Sequence, residues 1–315
     1  MRIATVTLNP AIDQTVSTDD FQIGTVNRGR AMRFDAGGKG VNVASFLADY
    51  GMDVAVTGFL GVENASIFER HFAHKKIVDH FVRIPGETRV NVKITDEHNQ
   101  ETTDINMPGQ VPNEKKIRDL LDQIEFLAET CDWFVLAGNL QAGLSPDFYG
   151  QIVTLLKGKS KRVVLDTSGE ALGEGLKARP CILKPNVDEL SQLTGETLDD
   201  LSAVHRAARS LLNTDTKLVV ISMGGDGALF VEQDQAFVAQ PPVVAVKSTV
   251  GAGDAMVAGL VAGLTQNLEL TECARLATAF SLSAITRLGR GQPEAGVIEM
   301  YKQQVTITPF VIEQP

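Results

Sequence analysis

Short apolar segments that recur between amphipathic helical stretches restrict this chain to a narrow set of folds. Four such segments follow residue 130, each long enough for one buried strand: Trp133–Ala137, Arg162–Asp166, Cys181–Asn186 and Lys217–Ser222. Strands that are apolar on both faces and alternate with helices are typical of a parallel sheet with helices on each side. The sequence therefore predicts an α/β protein with a mainly parallel central sheet.

A different pattern, strict alternation of polar and apolar residues, occupies two segments of the first half. It runs from Thr88 to Thr95 and resumes from Thr102 to Met107, with turn-like residues between. Alternation with a period of two predicts strands that bury only one face, so we expect a half-exposed hairpin. Together with the strand-like residues 14–35, this hairpin would form a small sheet that covers a site.

A glycine-rich turn late in the chain carries the strongest indication of chemistry. We predict a strand over Pro242–Val246, then the turn Gly251-Ala252-Gly253-Asp254, then an almost uncharged helix. Such a turn aims free backbone N–H groups and the positive end of the helix dipole at one point, which suits a phosphoryl group. Asp254 would repel a phosphate unless it has another task, such as accepting a proton from an attacking hydroxyl. The alternative is that Asp254 only caps the helix.

A second glycine-rich turn, Gly37-Gly38-Lys39-Gly40, comes early in the chain and leads into a helix that contains Asn42. It is not a P-loop, because glycine rather than Ser or Thr follows Lys39. Glycines let a polar ligand lie against the backbone, and Lys39 and Asn42 are suited to bind hydroxyls or an anionic group. The turn predicts a ligand site, and a simple strand-to-helix crossover is the alternative.

Polar residues follow several other predicted strands, at the edge where open α/β sheets bind ligands. These residues are Asp13, Asn139, Asn186 and Ser222. Asn186 and Glu189 are suited to hold a hydrated Mg2+, and the glycines after Ser222 admit nucleotide phosphates. A helix capping box and a hairpin turn are the respective alternatives. The recurrence of polar residues at strand ends favours one shared ligand site.

Composition excludes several classes of partner. The 315 residues carry a formal net charge of −10, so neither nucleic acid nor an anionic membrane surface is expected as a partner. No apolar stretch approaches the ~20 residues that span a bilayer, and the first residues are strand-like rather than signal-like. Three widely spaced cysteines fit a reducing compartment. We expect a cytoplasmic protein that meets anionic ligands with a local cluster of positive groups.

With these residues in view, the chain resembles the PfkB family of carbohydrate kinases from end to end. Three motifs in this order carry the resemblance: Ala36–Ala44, Lys184–Glu189 and Ser248–Met256. The resemblance implies a ribokinase-like three-layer α/β/α sandwich, in a single domain over residues 1–315. It also implies a small β-sheet lid, made of approximately residues 14–35 and 87–108, and homodimers formed through the lids.

Within the family, the likeness is greatest to members that phosphorylate D-fructose 1-phosphate at O6 with ATP, giving fructose 1,6-bisphosphate. Stretches such as Thr5–Asp13 and Thr88–Lys93 carry this likeness. Kinases of tagatose 6-phosphate or fructose 6-phosphate stay open as alternatives, as does a sensor that binds sugar phosphate and nucleotide without turnover. Mg2+ is the expected cofactor, and a dependence on K+ is left open.

The resemblance also implies a role for each candidate residue. Asp254 would be the catalytic base, and the N–H groups of Gly251, Ala252 and Gly253 would stabilise charge on the transferred group. The expected substrate-binding residues are Asp13, Gly38, Lys39, Asn42, Arg89 and Asn139. The expected ATP-binding residues are Lys184, Asn186, Ser222, Gly224, Gly225, Asp226, Gly227, Thr249 and Gly253, with Mg2+ at Asn186 and Glu189. Asn139 is a departure, because the family commonly has the shorter serine there.

Overall fold

The computed structural model describes residues 2–96, 98–99, 101–287 and 296–310, which form two sheets and their flanking helices. The strands are β1 (Arg2–Thr7), β2 (Ala11–Thr18), β3 (Gly29–Gly37), β4 (Val54–Gly61), β5 (Val78–Asp79), β6 (Val82–Ile84), β7 (Val90–Asp96), β8 (Glu101–Ile105), β9 (Cys131–Ala137), β10 (Arg162–Asp166), β11 (Ile182–Leu183), β12 (Leu218–Ser222), β13 (Ala228–Val231), β14 (Ala236–Gln240) and β15 (Thr306–Pro309). The α-helices are α1 (Lys39–Asp49), α2 (Ser66–Lys75), α3 (Glu114–Ala128), α4 (Phe148–Gly158), α5 (Gly169–Lys177), α6 (Val187–Thr194), α7 (Leu201–Ser210), α8 (Ala252–Thr265), α9 (Leu270–Ile285) and α10 (Val297–Gln304).

The larger sheet is mainly parallel, as predicted. Its strand order is β15-β14-β13-β12-β11-β10-β9-β1-β4-β5, and β6 pairs with β4. The pairs from β12 through β5 are parallel, whereas β13, β14 and β15 pair antiparallel with their neighbours. The carboxyl ends of the parallel strands therefore lie along one edge of this sheet.

Helices cover both faces of the larger sheet, which confirms the predicted three-layer α/β/α architecture. Alternate residues of β1 enter opposite cores, because Ile3 packs with one hydrophobic cluster while Ala4 and Val6 pack with the other. Residues of α1, α2, α8 and α9 line the first cluster, and residues of α3 to α7 line the second. Burial on both faces explains why these strands are apolar along their whole length.

The smaller sheet has the strand order β3-β2-β7-β8 and two unlike faces. The predicted hairpin is confirmed as the antiparallel pair β7 and β8, and β2 joins β7 in parallel. The strand registers place Asp13, Thr15 and Lys93 on one face. Met32 and Phe34 lie on the other face, where both are exposed. One face of this sheet is therefore polar and the other is largely apolar.

Helix α8 is apolar on all sides because it is enclosed by its neighbours. Its residues from Asp254 to Gly263 are all buried, and it packs against α1 and α9. A Cβ atom on Gly259 would lie 2.7 Å from Cα of Ala277 in α9, so the close approach of these helices requires glycine there. This packing fixes the N-terminus of α8 relative to the sheet.

Two local predictions are wrong. The predicted strand Pro242–Val246 is an irregular segment, and Val243 is fully exposed. The edge of β14 that such a strand could join is occupied by β15, which comes from much later in the chain. The pair Ser145-Pro146 also predicts a helix start, because proline suits the first turn of a helix, but α4 begins at Phe148 and these two residues belong to the preceding turn.

Among the described helices, none is both long and apolar enough to cross a membrane.

Candidate active site

The N-terminus of α8 has the geometry expected of an anion-binding turn. Gly251 precedes the helix with φ of 82°, a left-handed conformation that favours glycine. No side chain caps this end by hydrogen bonding. The N–H of Ala252 contacts the carbonyl of Thr249 at 3.3 Å, whereas the N–H groups of Gly251 and Gly253 have no intrahelical partner by position. The turn therefore retains donors for a bound anion.

Asp254 lies in the first turn of α8 and contacts the early glycine motif. Its Oδ2 accepts a hydrogen bond of 2.7 Å from Nδ2 of Asn42 in α1. The side-chain oxygen Oδ1 of Asn42 is buried and has no hydrogen-bond partner among the described residues. The two motifs, 212 positions apart in the chain, thus meet through one side-chain pair.

The environment of Asp254 disfavours its ionised form. Burial, and next the negative charge of Asp166, raise the pKa of Asp254, while Lys39, the bond from Asn42 and Lys184 oppose them. The resulting pKa is about 6, well above the 3.8 of an unperturbed aspartate. A carboxylate with this pKa is largely ionised at neutral pH and is still a competent proton acceptor.

Lys39 and Lys184 meet at a residue that the sequence analysis did not include in the site. Asp166 ends β10, is fully buried, and lies 3.2 Å from Nζ of Lys39 and 3.3 Å from Nζ of Lys184. Burial alone would raise the pKa of Asp166, but the two lysines outweigh it and lower that pKa. Burial likewise lowers the pKa of Lys39, but Asp166, Asp254 and Glu189 leave it raised.

The sequence did contain a signal for Asp166. It is the last residue of a predicted apolar strand, the same position at the sheet edge that marked Asn139 and Asn186. The rule that ligands bind beyond the carboxyl ends of parallel strands applies equally to it.

A cleft of about 730 Å³ lies between the polar face of the smaller sheet, the side of α1 that carries Asn42 to Asp49, and residues 247–251, which precede α8. Four of the predicted site residues line it: Asp13, Asn42, Thr249 and Gly251. A volume in this range suits a small-molecule ligand. The position of Asp13 differs from the predicted turn, because it lies within β2.

Arg89 is directed at main-chain carbonyls. Its guanidinium donates to the oxygens of Asn9, Pro10 and Met107 at 3.1, 3.2 and 3.0 Å. Burial lowers the pKa of Arg89 and Asp13 opposes that effect. Asn91 lies between them, 3.3 Å from Oδ1 of Asp13 and 3.5 Å from Nη1 of Arg89. Arg89 therefore joins the start of the smaller sheet to the segment after β8.

Asn139 follows β9 and contacts Ser168. Its Oδ1 accepts a hydrogen bond of 3.0 Å from the Ser168 hydroxyl. Asn139 is exposed, and the preceding Gly138 is next to Lys39, since a Cβ built on that glycine would lie 3.6 Å from Cβ of Lys39. The longer side chain that departs from the family pattern is thus held by a second polar residue.

Asn186 and Glu189 form the capping box that was one of the two interpretations of their spacing. The Asn186 side chain accepts from the N–H of Glu189 at 2.7 Å, and Glu189 accepts from the N–H of Asn186 at 2.9 Å. Asn186 also forms a parallel bridge with Ser222. No group of three His, Cys, Asp or Glu residues suited to hold a metal occurs in the described part of the chain.

The glycines after Ser222 form a tight exposed turn. Gly224, Gly225 and Asp226 make one turn of 3-10 helix, and Gly227 closes it with φ of 91°. The antiparallel pair β13 and β14 follows, so the turn leads into a hairpin, as the alternative interpretation of these glycines had it. The exposed backbone of this turn and the bridge to Asn186 place these residues along the same edge of the sheet as Lys184.

A buried acid beside unpaired N–H groups at a helix terminus, with two lysines close by, is the arrangement of a phosphotransferase. Comparison with known proteins agrees. The model of the pfkB family of carbohydrate kinases matches residues 6–295. The chain belongs to this family, as the sequence motifs predicted.

Individual relatives cover almost the whole chain. A 1-phosphofructokinase of Rhodobacter capsulatus is 49% identical over 98% of this chain and 98% of its own length. The Escherichia coli phosphofructokinase-2 in complex with fructose-6-phosphate is 29% identical, with a TM-score of 0.89 over 96% of this chain and 98% of that one. The same enzyme in complex with potassium has a TM-score of 0.90 at 29% identity, with the same coverage of 96% and 98%.

Proposed function

We propose that this protein transfers the γ-phosphoryl group of ATP to O6 of D-fructose 1-phosphate and so forms fructose 1,6-bisphosphate. One observation carries the proposal: Asp254, a buried acid with a pKa of about 6, is held by Asn42 at the N-terminus of α8. An acid in this position accepts the hydroxyl proton, while the adjacent N–H groups stabilise charge on the phosphoryl group.

The choice of sugar phosphate is supported by the relatives. Identity to the Rhodobacter 1-phosphofructokinase is 49%, against 29% to the phosphofructokinase that was solved with fructose-6-phosphate. A phosphate on C1 leaves the 6-hydroxyl as the acceptor, and transfer to it follows the same proton path through Asp254.

The sugar phosphate binds on the side of α1. Asp13, Asn42 and the backbone of Gly38 position its hydroxyls, and Lys39 attracts its phosphate. Asn139, held by Ser168, borders this side next to Lys39. Arg89 contributes by fixing the position of Asp13 through Asn91. Its contacts use four of the five guanidinium N–H donors, and the one left on Nη2 is assigned to the sugar phosphate.

ATP binds along the edge formed by β11 and β12. Lys184 lies next to the α8 turn, because a Cβ built on Gly253 would be 3.5 Å from its Nζ. In the turn Gly224–Gly227, the N–H groups of Asp226 and Gly227 bond to the carbonyls of Met223 and Gly224, so we assign the N–H groups of Gly224 and Gly225 to the nucleotide phosphates, with Ser222 and Thr249 beside them. This arrangement directs the γ-phosphoryl group to the N-terminus of α8.

Mg2+ would bind at this edge through water molecules rather than by direct coordination to several protein side chains. The capping box occupies one oxygen of Asn186 and one of Glu189, but a carboxylate has further lone pairs that bind water. Mg2+ in kinases keeps several waters and binds chiefly to substrate phosphates. When bound, it neutralises phosphate charge. We include K+ in the assays because the E. coli relative was solved in complex with potassium.

The smaller sheet acts as a lid. Its polar face, which includes Asp13 and Lys93, lines the cleft, so closure would exclude water from the transfer and limit hydrolysis of ATP. The opposite face exposes Met32, Phe34 and Ile105. We propose that these apolar residues form a homodimer interface between two lids, and that the protein acts in the cytoplasm.

A substrate panel tests the function directly. Purified protein with ATP, Mg2+ and K+ is offered fructose 1-phosphate, fructose 6-phosphate, tagatose 6-phosphate and unphosphorylated fructose, and ADP release is measured by a coupled assay. We expect the highest kcat/KM with fructose 1-phosphate. A higher value with either 6-phosphate would replace the proposed substrate, and no ADP release with any sugar would support a binding protein without turnover.

A further inference from the structure

A buried carboxylate holds two lysines of the site. Oδ1 of Asp166 lies 3.2 Å from Nζ of Lys39 and 3.3 Å from Nζ of Lys184. Because both ammonium groups contact one oxygen atom, they lie no more than 6.5 Å apart, the sum of the two distances. Two cations this close repel each other unless an anion lies between them.

The two lysines come from different elements of the site. Lys39 begins α1 directly after the early glycine turn. Lys184 follows β11, and its ammonium lies beside Gly253 in the α8 turn. Asp166 therefore joins the side proposed for the sugar phosphate to the side proposed for ATP, through one side chain at the end of the central strand β10.

The contacts of Asp166 are not those of an ordinary structural ion pair. Its second oxygen, Oδ2, is buried and has no hydrogen-bond partner within the described residues. Buried carboxylates that serve only the fold are normally satisfied by several donors. The position of this carboxylate instead depends on the two lysines, and theirs on it. Each ammonium has three donors, and the bond to Asp166 uses one of them.

We propose that Asp166 is a positioning residue, which holds Lys39 on the side proposed for the sugar phosphate and Lys184 on the side proposed for ATP. The inference rests on the proposed kinase function and assigns Asp166 no contact with substrate. The negative charge of Asp166 also affects the pKa of Asp254, the proposed catalytic base. Asp254 is faced by Asp166 from β10, by Lys39 and Asn42 from α1 and by Lys184 after β11, and among these Asp166 is the one that raises the pKa of Asp254.

The substitution Asp166→Asn tests this role, because it keeps the shape and an acceptor oxygen but removes the charge. With the anion gone, the two ammonium groups separate, so the KM for fructose 1-phosphate and the KM for ATP should each rise roughly tenfold or more. The acid limb of the pH profile of kcat/KM should also move to lower pH, because the charge that raises the pKa of Asp254 is lost.

Asp166→Glu serves as the matched control, since it keeps the charge and moves it by one methylene. We expect both KM values to rise while the acid limb stays near its wild-type position. The Glu variant also carries the test if Asp166→Asn does not yield folded protein, which thermal unfolding reports. If Asp166 had a purely structural role, the variants would lose apparent kcat in proportion to the loss of folded protein, and both KM values would stay unchanged.

Two results would overturn the inference. One is an Asp166→Asn variant with wild-type KM values and an unmoved acid limb. The other is a defect that disappears when the Mg2+ concentration is raised, which would identify Asp166 as a metal ligand. Failure of the proposed function is a separate result, because it would appear as a wild-type protein that releases no ADP with any sugar phosphate.

Discussion

Ionised Asp254 should lower the free energy of unfolding at neutral pH, although the reaction requires it as a base. The substitution Asp254→Asn separates these two effects. The substitution keeps the size of the side chain and an oxygen that accepts the bond from Asn42. It removes only the charge that burial and Asp166 disfavour. We therefore expect a variant that is more stable than the wild type and catalytically impaired.

The gain in stability follows from the pKa. Folding raises the pKa of Asp254 from 3.8 to about 6, and each unit corresponds to about 1.36 kcal/mol, so the ionised side chain destabilises the fold by about 3 kcal/mol. Because the folded pKa is raised, this cost is absent below pH 3.8, grows as the pH rises toward 6, and is complete above 6. Asp254→Asn should gain about 3 kcal/mol in free energy of unfolding at pH 7.5 and only about 0.5 kcal/mol at pH 4.

The same substitution should lower the catalytic rate although it raises stability. The wild-type kcat/KM should rise with pH through a midpoint of about 6, because only the ionised Asp254 accepts a proton. Asparagine cannot accept that proton, so turnover should fall about 10²-fold or more, and the remaining activity should lose this acid limb.

Urea unfolding at pH 4 and pH 7.5, together with the coupled assay from pH 5 to 8.5, measures both effects on the same samples. Asp122→Asn is the matched control, since Asp122 is exposed on α3 and should affect neither stability nor turnover. A variant with near-normal turnover would refute the assignment of the base. A variant no more stable than the wild type at pH 7.5 would refute the reasoning from burial.

Three further predictions test the surroundings of the site. Arg89→Ala should raise the KM for fructose 1-phosphate about tenfold or more with little change in kcat, whereas a lowered melting temperature with an unchanged KM would make Arg89 a purely structural anchor of the carbonyls it binds. Phe34→Glu, on the apolar face of the lid, should shift the protein from dimer to monomer in sedimentation, and a dimer that persists would place the interface elsewhere. Gly259→Ala should lower the free energy of unfolding by about 1–3 kcal/mol because its Cβ would overlap α9, while Gly158→Ala, with open space at its Cβ, should be neutral or stabilising; equal effects in urea unfolding would contradict the packing argument.

The sequence predicted the parts of the fold that depend on local pattern. Continuous apolar strands identified β9, β10 and β12 to within two residues, because burial on both faces imposes an apolar residue at each position. Strict alternation located β7 and β8, because the smaller sheet has one polar face and one largely apolar face. Both patterns reflect the surroundings of each strand's two faces, which each strand carries in its own residues.

Features that depend on distant partners were not predictable in this way. Pro242–Val246 has the composition of a strand, but a strand needs a free edge, and β15 takes the edge of β14. β15 itself has only four residues, which is too short a pattern to predict a strand. The contact of Asn42 with Asp254 and the orientation of Arg89 toward carbonyls likewise depend on tertiary packing, which neither motif reveals by its spacing.

The charges of the protein and of its cleft make Lys39 and Lys184 important for the binding of anionic substrates. A protein with a net charge of −10 does not attract sugar phosphate or ATP from a distance. The cleft itself is lined by six acidic and four basic side chains, so its rim does not supply the missing attraction. Binding of two polyanions must therefore depend on cations held at short range, and Lys39 and Lys184 are suitably placed because Asp166 holds both beside the α8 turn. Short-range attraction of this kind is screened little by salt, so substrate KM values that rise steeply between 0.05 and ~0.2 M salt would show that long-range charge governs binding instead.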